Sequence, residues 1–156
     1  MTLTAVFTAI VFVFTAYLHI PSHIGYIHAG DGVIYFAACL LPTPYAICVG
    51  AIGALLADGL TGYVIWVPAS VIIKALSVFC FSRKKNFISL RNLLGLLPAS
   101  LICIVGYYLY EALLVGSLIA PLHCMHENII QSVMSSALFI FLGFTADKLK
   151  LKEKIL

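Results

Sequence analysis

The chain has 156 residues, 63% of them hydrophobic and 10% charged, with a formal net charge of +3. A soluble domain carries about 45–50% apolar and about 25% charged residues, so this composition excludes a soluble globular protein, a disordered protein and a nucleic-acid binder, and indicates an integral membrane protein. At roughly 20–25 residues per span and loop, the length allows about five or six spans and no soluble catalytic domain, so any ATPase must be a separate chain.

The first apolar run, Leu3–Leu18, is uncharged. It lacks the basic flank and small-residue cleavage site of a signal peptide. It reads as a retained first span, and the missing basic flank leads us to expect a few residues ahead of Met1. A polar loop, His19–Gly30, follows. The second run, Val33–Leu41, stops at Pro42-Thr43-Pro44, which cannot continue a helix. The third, Tyr45–Leu56, closes at Asp58-Gly59. Both are short for about 30 Å of hydrocarbon, so they are either one span kinked at the prolines or two helices. The fourth run, Tyr63–Phe81, contains Pro68 and Lys74, and the basic loop Ser82–Asn92 comes after it. The fifth, Leu93–Leu118, contains Pro98. The loop Ala120–His126 separates it from the sixth run, Ile129–Phe144, and a lysine-rich tail. Backbone in lipid must bond to itself, so these runs are helices. Expected spans are about 3–18, 31–42, 44–58, 61–81, 92–118 and 127–147, in a single all-α membrane domain.

Arg83, Lys84, Lys85 and Arg91 share one loop, and Lys148, Lys150, Lys152 and Lys154 share the tail; only Lys74 lies elsewhere. The positive-inside rule makes loop and tail cytoplasmic. Six helices place both termini inside; five place the amino terminus outside. Lys74 either snorkels toward the cytoplasm or pairs within the bundle or with a partner chain.

Chemistry concentrates at the other end of the helices. Tyr63, Trp66, Ser70 and Lys74 are spaced to share one helical face. Tyr107, Tyr110 and Glu111 form a second stripe, and Glu127, Gln131 and Ser135, with Asn128 beside them, a third. A carboxylate at mid-bilayer costs roughly 2.5–3.5 kcal/mol, less near the interface, so such groups face the protein interior or a watery cavity. Three converging stripes describe an outward-facing pocket of aromatics and acids. An interfacial aromatic belt is the competing reading for Tyr107, Tyr108 and Tyr110. The histidines could ligate metal, with His123 and His126 three apart and His19 and His23 four apart, but no helix-borne H-E-x-x-H arrangement exists. Ser70, Ser132, Ser135 and Ser136 have no G-x-S-x-G context near a histidine, so no catalytic residue, metal ligand or cofactor is assigned. The five cysteines show no C-x-x-C spacing and read as small buried hydrophobes. Small residues recur at four-residue spacing in Ala46, Gly50 and Ala54, in Gly53 and Ala57, and in Ala5 and Ala9, which suits close helix packing or docking of another protein.

The ordered segments Gly25-Tyr26-Ile27-His28-Ala29-Gly30-Asp31-Gly32, Leu41-Pro42-Thr43-Pro44-Tyr45, Gly50 to Asp58, Gly62-Tyr63 and Pro68 to Lys74 resemble the substrate-binding S component of energy-coupling factor (ECF) vitamin transporters. Ala5-x-x-x-Ala9 resembles that family's alanine motif, with Val13 at the third position. The resemblance implies six helices, both termini cytoplasmic, in a prokaryotic cell membrane. It implies a micronutrient site near the outer face, under a lid formed by His19–Asp31 that includes His23, Tyr26, His28 and Asp31. It implies a transmembrane coupling protein (T component), docked at Ala5 and Ala9, and two ATPases, with the S component toppling in the membrane to deliver its ligand. Candidate substrate-binding residues are Tyr63, Trp66, Ser70, Tyr107, Tyr110, Glu111, Glu127, Asn128 and Gln131. Aromatic walls and acids without an outer cation favour a planar heteroaromatic ligand: a thiamine precursor, a pyridoxine-type vitamin or a queuine-like base. The alternatives are a metal-ion-binding S component and a self-sufficient small transporter.

Overall fold

The computed structural model describes residues 1–22, 25–83 and 86–155. The described chain is all-α apart from one short two-stranded ribbon. Helix α1 spans Thr2–Ala16. Strands β1 (His19–Pro21) and β2 (Tyr26–His28) pair antiparallel, with His19 opposite His28 and Pro21 opposite Tyr26. The sequence gives no hint of this ribbon, because two three-residue strands are too short to show an alternation.

Helix α2, Gly30–Leu40, is buried at every residue. That explains its uniformly apolar body: a helix hydrophobic all round is one enclosed on all sides. Leu41 turns extended before Pro42, and α3 (Thr43–Leu60) restarts with Pro44 in its first turn. The proline pair therefore separates two helices and does not kink one. Helix α4 (Val67–Ser77) is flanked by 3-10 turns at Val64–Trp66 and Val78–Cys80. Helix α5, Leu90–Val115, starts at Ser89, whose side chain accepts the Asn92 N–H, and ends at Gly116 in the left-handed conformation. Helix α6 is Met125–Lys148, and a short α7, Leu151–Ile155, carries Lys152 and Lys154.

Three helices, α3, α5 and α6, are long and apolar enough to cross a membrane; α1, α2 and the 64–80 segment are shorter apolar helices. On α5, Leu90, Leu94, Leu97, Leu101, Val105 and Leu109 are all exposed at three- or four-residue spacing, the stripe expected of a lipid-facing side. The small residues of α3 do the opposite. Ala46, Gly50, Gly53, Ala54 and Ala57 are buried. A Cβ on Gly53 would sit 2.6 Å from the Val11 side chain, so α1 and α3 meet closely there. Likewise, a Cβ on Gly32 would lie 2.5 Å from the Ser135 carbonyl oxygen, which brings α2 against α6.

The basic end of the bundle is tied by polar groups. Asp147 accepts the N–H groups of Phe87 and Ile88 at 2.9 and 2.8 Å. The Asn92 amide nitrogen donates to the carbonyls of Ser82 and Phe87, and its oxygen accepts the Ser82 N–H. Arg83 donates to the Leu40 carbonyl, so the end of α2 lies at this side.

Candidate functional site

At the opposite end, the ribbon, the last turn of α3, and α4, α5 and α6 surround a half-open cavity of about 560 Å³, a volume that includes open solvent at its mouth. Tyr26 forms its cover. Its ring packs against Tyr63 at 4.7 Å, His19 at 4.8 Å and His28 at 5.5 Å. Its hydroxyl donates to Asp58 Oδ1 in the last turn of α3. Burial first, then the Asp58 carboxylate, pushes the phenol far above its ordinary range, so Tyr26 stays a donor.

His28 lies beneath this cover, 4% exposed. Its Nδ1 accepts the Gly30 N–H at 3.1 Å. The neutral ring therefore carries its proton on Nε2. Burial, helped by the nearby Lys74 ammonium and opposed by Asp31, pushes its pKa down to about 4.

Behind the lining, joined to it through Gln131, lies a buried ion pair. Lys74 Nζ lies 2.7 and 2.8 Å from the two Asp31 carboxylate oxygens, and both side chains are 2% exposed. Gln131 Nε2 adds a hydrogen bond to Asp31 Oδ2 at 3.2 Å. The ammonium also lies 5.1 Å from the Tyr107 ring centroid, a cation–π contact. Lys74 thus pairs inside the bundle and does not snorkel. Desolvating an unpaired charge here would be prohibitive, and the pair with its extra partners offsets that cost.

The walls are aromatic and acidic. Ser70 Oγ and Tyr107 Oη are hydrogen-bonded at 2.9 Å. Trp66 lies edge-on to Tyr107, with ring centroids 6.0 Å apart. Glu111 and Glu127 line the side nearest Cys124. Burial first, then these two carboxylates, pushes the Cys124 thiol up. No Lys or Arg lines the cavity among the described residues.

Of the residues singled out from sequence, Trp66, Ser70, Tyr107, Glu111, Glu127, Asn128 and Gln131 line the cavity, joined by Tyr26 and His28 from the ribbon. Two expected substrate-binding residues stand behind it. Tyr63 supports Tyr26 but is not in the lining. Tyr110 packs on Trp66 at 5.7 Å and spends its hydroxyl on the Ile65 carbonyl at 2.6 Å. Asp31, expected in the lid, lies in the first turn of α2, buried against Lys74 and outside the cavity lining. His23 lies outside the described residues. Asp58 and Cys124 border the cavity and were not singled out as site residues; an acid in the last turn of an otherwise apolar run is the signal that could have found Asp58. Ala5 and Ala9 are exposed on α1 beside Val13. Among the described residues, no group of three His, Cys, Asp or Glu side chains could hold a metal ion, and His123 and His126 are exposed.

The family model described as ECF-type riboflavin transporter, S component, matches residues 1–147. No curated protein matches the sequence.

Proposed function

Because the chain belongs to the family of ECF-type riboflavin transporter S components, a transport family and not an enzyme one, we propose that its cavity captures riboflavin on the outer face of a prokaryotic cell membrane. The observation that carries this reading is the cavity's composition. A flat tricyclic ring wants aromatic walls, which Trp66, Tyr107 and Tyr26 supply. A sugar-alcohol chain wants acceptors for its hydroxyl groups, which Glu111 and Glu127 supply.

We read the chain as six helices, α1 to α6, that run alternately between the cavity end and the basic end with five reversals between them. The ribbon after α1 borders the cavity, and α2 starts two residues after it. The end of α2 meets Arg83, α3 returns to Asp58, α4 descends to the basic loop, α5 rises to Glu111 and α6 descends to Asp147. This supports six passes with both termini on the cytoplasmic side. The chain itself supplies the receptacle. A T component, docked on the exposed Ala5–Ala9 face of α1, and two ATPases power transport.

Purified in detergent, the chain is expected to quench riboflavin fluorescence with one-to-one stoichiometry. Trp66→Ala is expected to abolish quenching while the helical circular dichroism is retained. Absence of quenching by the folded chain overturns the reading. One observation favours a second ligand class: Asp58, Glu111 and Glu127 border the cavity with no described cation, which suits a cationic ring such as thiamine's. Thiamine, pyridoxine and queuine as competitors in the same titration distinguish the two. Uptake by liposomes holding this chain alone, without ATP, would instead mark a self-sufficient transporter.

A further inference from the structure

Gln131 sits on α6 between the cavity and the buried ion pair. Its Nε2 donates to Asp31 Oδ2 at 3.2 Å and to Cys103 Sγ at 3.6 Å. An ionised carboxylate only accepts, so the amide must turn its nitrogen toward Asp31. Asp31 cannot move aside: Lys74 holds both of its oxygens, and both residues are 2% exposed. Both amide hydrogens of Gln131 are therefore committed to Asp31 and Cys103 behind the lining, and its carbonyl oxygen is left for the cavity that the residue lines.

We propose that the Asp31–Lys74 pair locks Gln131 as an obligate acceptor that selects a ring N–H on the bound heterocycle. This rests on the flavin reading, and in a flavin the matching group is the imide N3–H. The flanking C2 and C4 carbonyls of that edge need donors, and the same cavity holds two candidates: the Nε2–H of neutral His28 and the Asn128 amide. Gln131 is thus a specificity residue, and Asp31 is a positioning residue that acts through it. A ligand whose ring nitrogen is alkylated leaves the Gln131 oxygen buried and unpaired, which is the costly side of hydrogen-bond recognition.

The test compares riboflavin with 3-methylriboflavin by fluorescence titration of the purified full chain, with 5-deazariboflavin, which keeps N3–H, as a control for ring fit. The folded protein is expected to prefer riboflavin over the 3-methyl analogue by about tenfold to a hundredfold, and to bind the deaza analogue like riboflavin. In Gln131→Met the preference is expected to collapse toward one, through weaker riboflavin binding. If the Met variant does not purify folded, Gln131→Asn, which withdraws the amide by one methylene, reads the same ratio. In Asp31→Asn, Lys74 claims the new amide oxygen, so the amide nitrogen faces Gln131 and turns it over; the ratio is again expected to fall. Equal binding of riboflavin and 3-methylriboflavin by the unmodified chain overturns the inference while leaving the flavin reading intact. So does an unchanged ratio in the folded variants. Failure to bind any of the three flavins overturns the flavin reading, and this assignment with it.

Discussion

The Tyr26 hydroxyl donates to the Asp58 carboxylate across 32 residues of sequence, joining the second strand of the ribbon to the last turn of α3. Both residues border the cavity. It ties the ribbon to a helix at the cavity mouth, so it acts as a latch over whatever lies beneath.

Removing the latch is expected to speed ligand release. A hydrogen bond to a charged acceptor contributes about 1.5–3 kcal/mol, so Tyr26→Phe should raise the dissociation rate by roughly tenfold to a hundredfold. The ring contacts with Tyr63 and His19 remain, so the ribbon keeps its packing. Stopped-flow displacement of bound ligand measures the rate directly. An unchanged dissociation rate in Tyr26→Phe means that the bond does not hold the cover.

The buried Asp31–Lys74 pair makes a second prediction. Lys74→Met strands the Asp31 carboxylate in a buried site, a loss of about 3–5 kcal/mol. The double substitution Asp31→Leu with Lys74→Met removes both charges and should regain most of that stability, because apolar groups of similar volume replace a buried pair at little cost. Thermal unfolding in detergent compares the three proteins. A double variant no more stable than Lys74→Met would locate the loss in packing and not in the unpaired charge.

How far the sequence revealed this site follows from helical geometry. Trp66 and Ser70, Glu127 and Gln131, and Tyr107 and Glu111 are four residues apart on regular helix or at its margin, and such pairs share a face wherever the helix lands. Tyr63 escapes that rule because it stands outside the helix, as the N-cap of the 3-10 turn Val64–Trp66 with φ −96° and ψ 36°, so helical spacing does not fix its direction. Tyr110 has the right spacing, but its hydroxyl finds the Ile65 carbonyl. Asp58 and Lys74 were visible as charges in apolar runs, yet their partners lie 32 and 43 residues away. No local pattern encodes a pairing at that range, since it depends on how α2, α3 and α4 pack.

His28 gives the protein an acid limit. In the unfolded chain its imidazole takes a proton near the ordinary value of 6.5, whereas the folded protein keeps it neutral down to about 4. Between those values the unfolded state binds more protons, so stability is full above pH 6.5 and falls as the pH drops toward 4. The total contribution of this group is about 3 kcal/mol. His28→Gln should flatten the portion of the pH–stability curve that lies between 6.5 and 4. Melting temperatures of both proteins across that window decide it; parallel curves would assign the acid sensitivity to other groups.

The exposed face of α1 supports a prediction that separates binding from transport. Ala5 and Ala9 lie on the outside of the bundle, with Val13 44% exposed one step further on. Side chains this small allow the backbone of a partner helix to approach closely, and a bulky ring there holds it off. Because α1 reaches the cavity only through the ribbon that follows it, Ala5→Trp should leave ligand affinity in detergent within about twofold, the usual range for a surface change distant from a site. Uptake by cells or proteoliposomes that also hold the T component and ATPases should be lost. Native uptake by Ala5→Trp removes α1 as the docking face. Loss of affinity together with uptake shows instead that α1 shapes the cavity through the ribbon, and places the coupling surface on another helix.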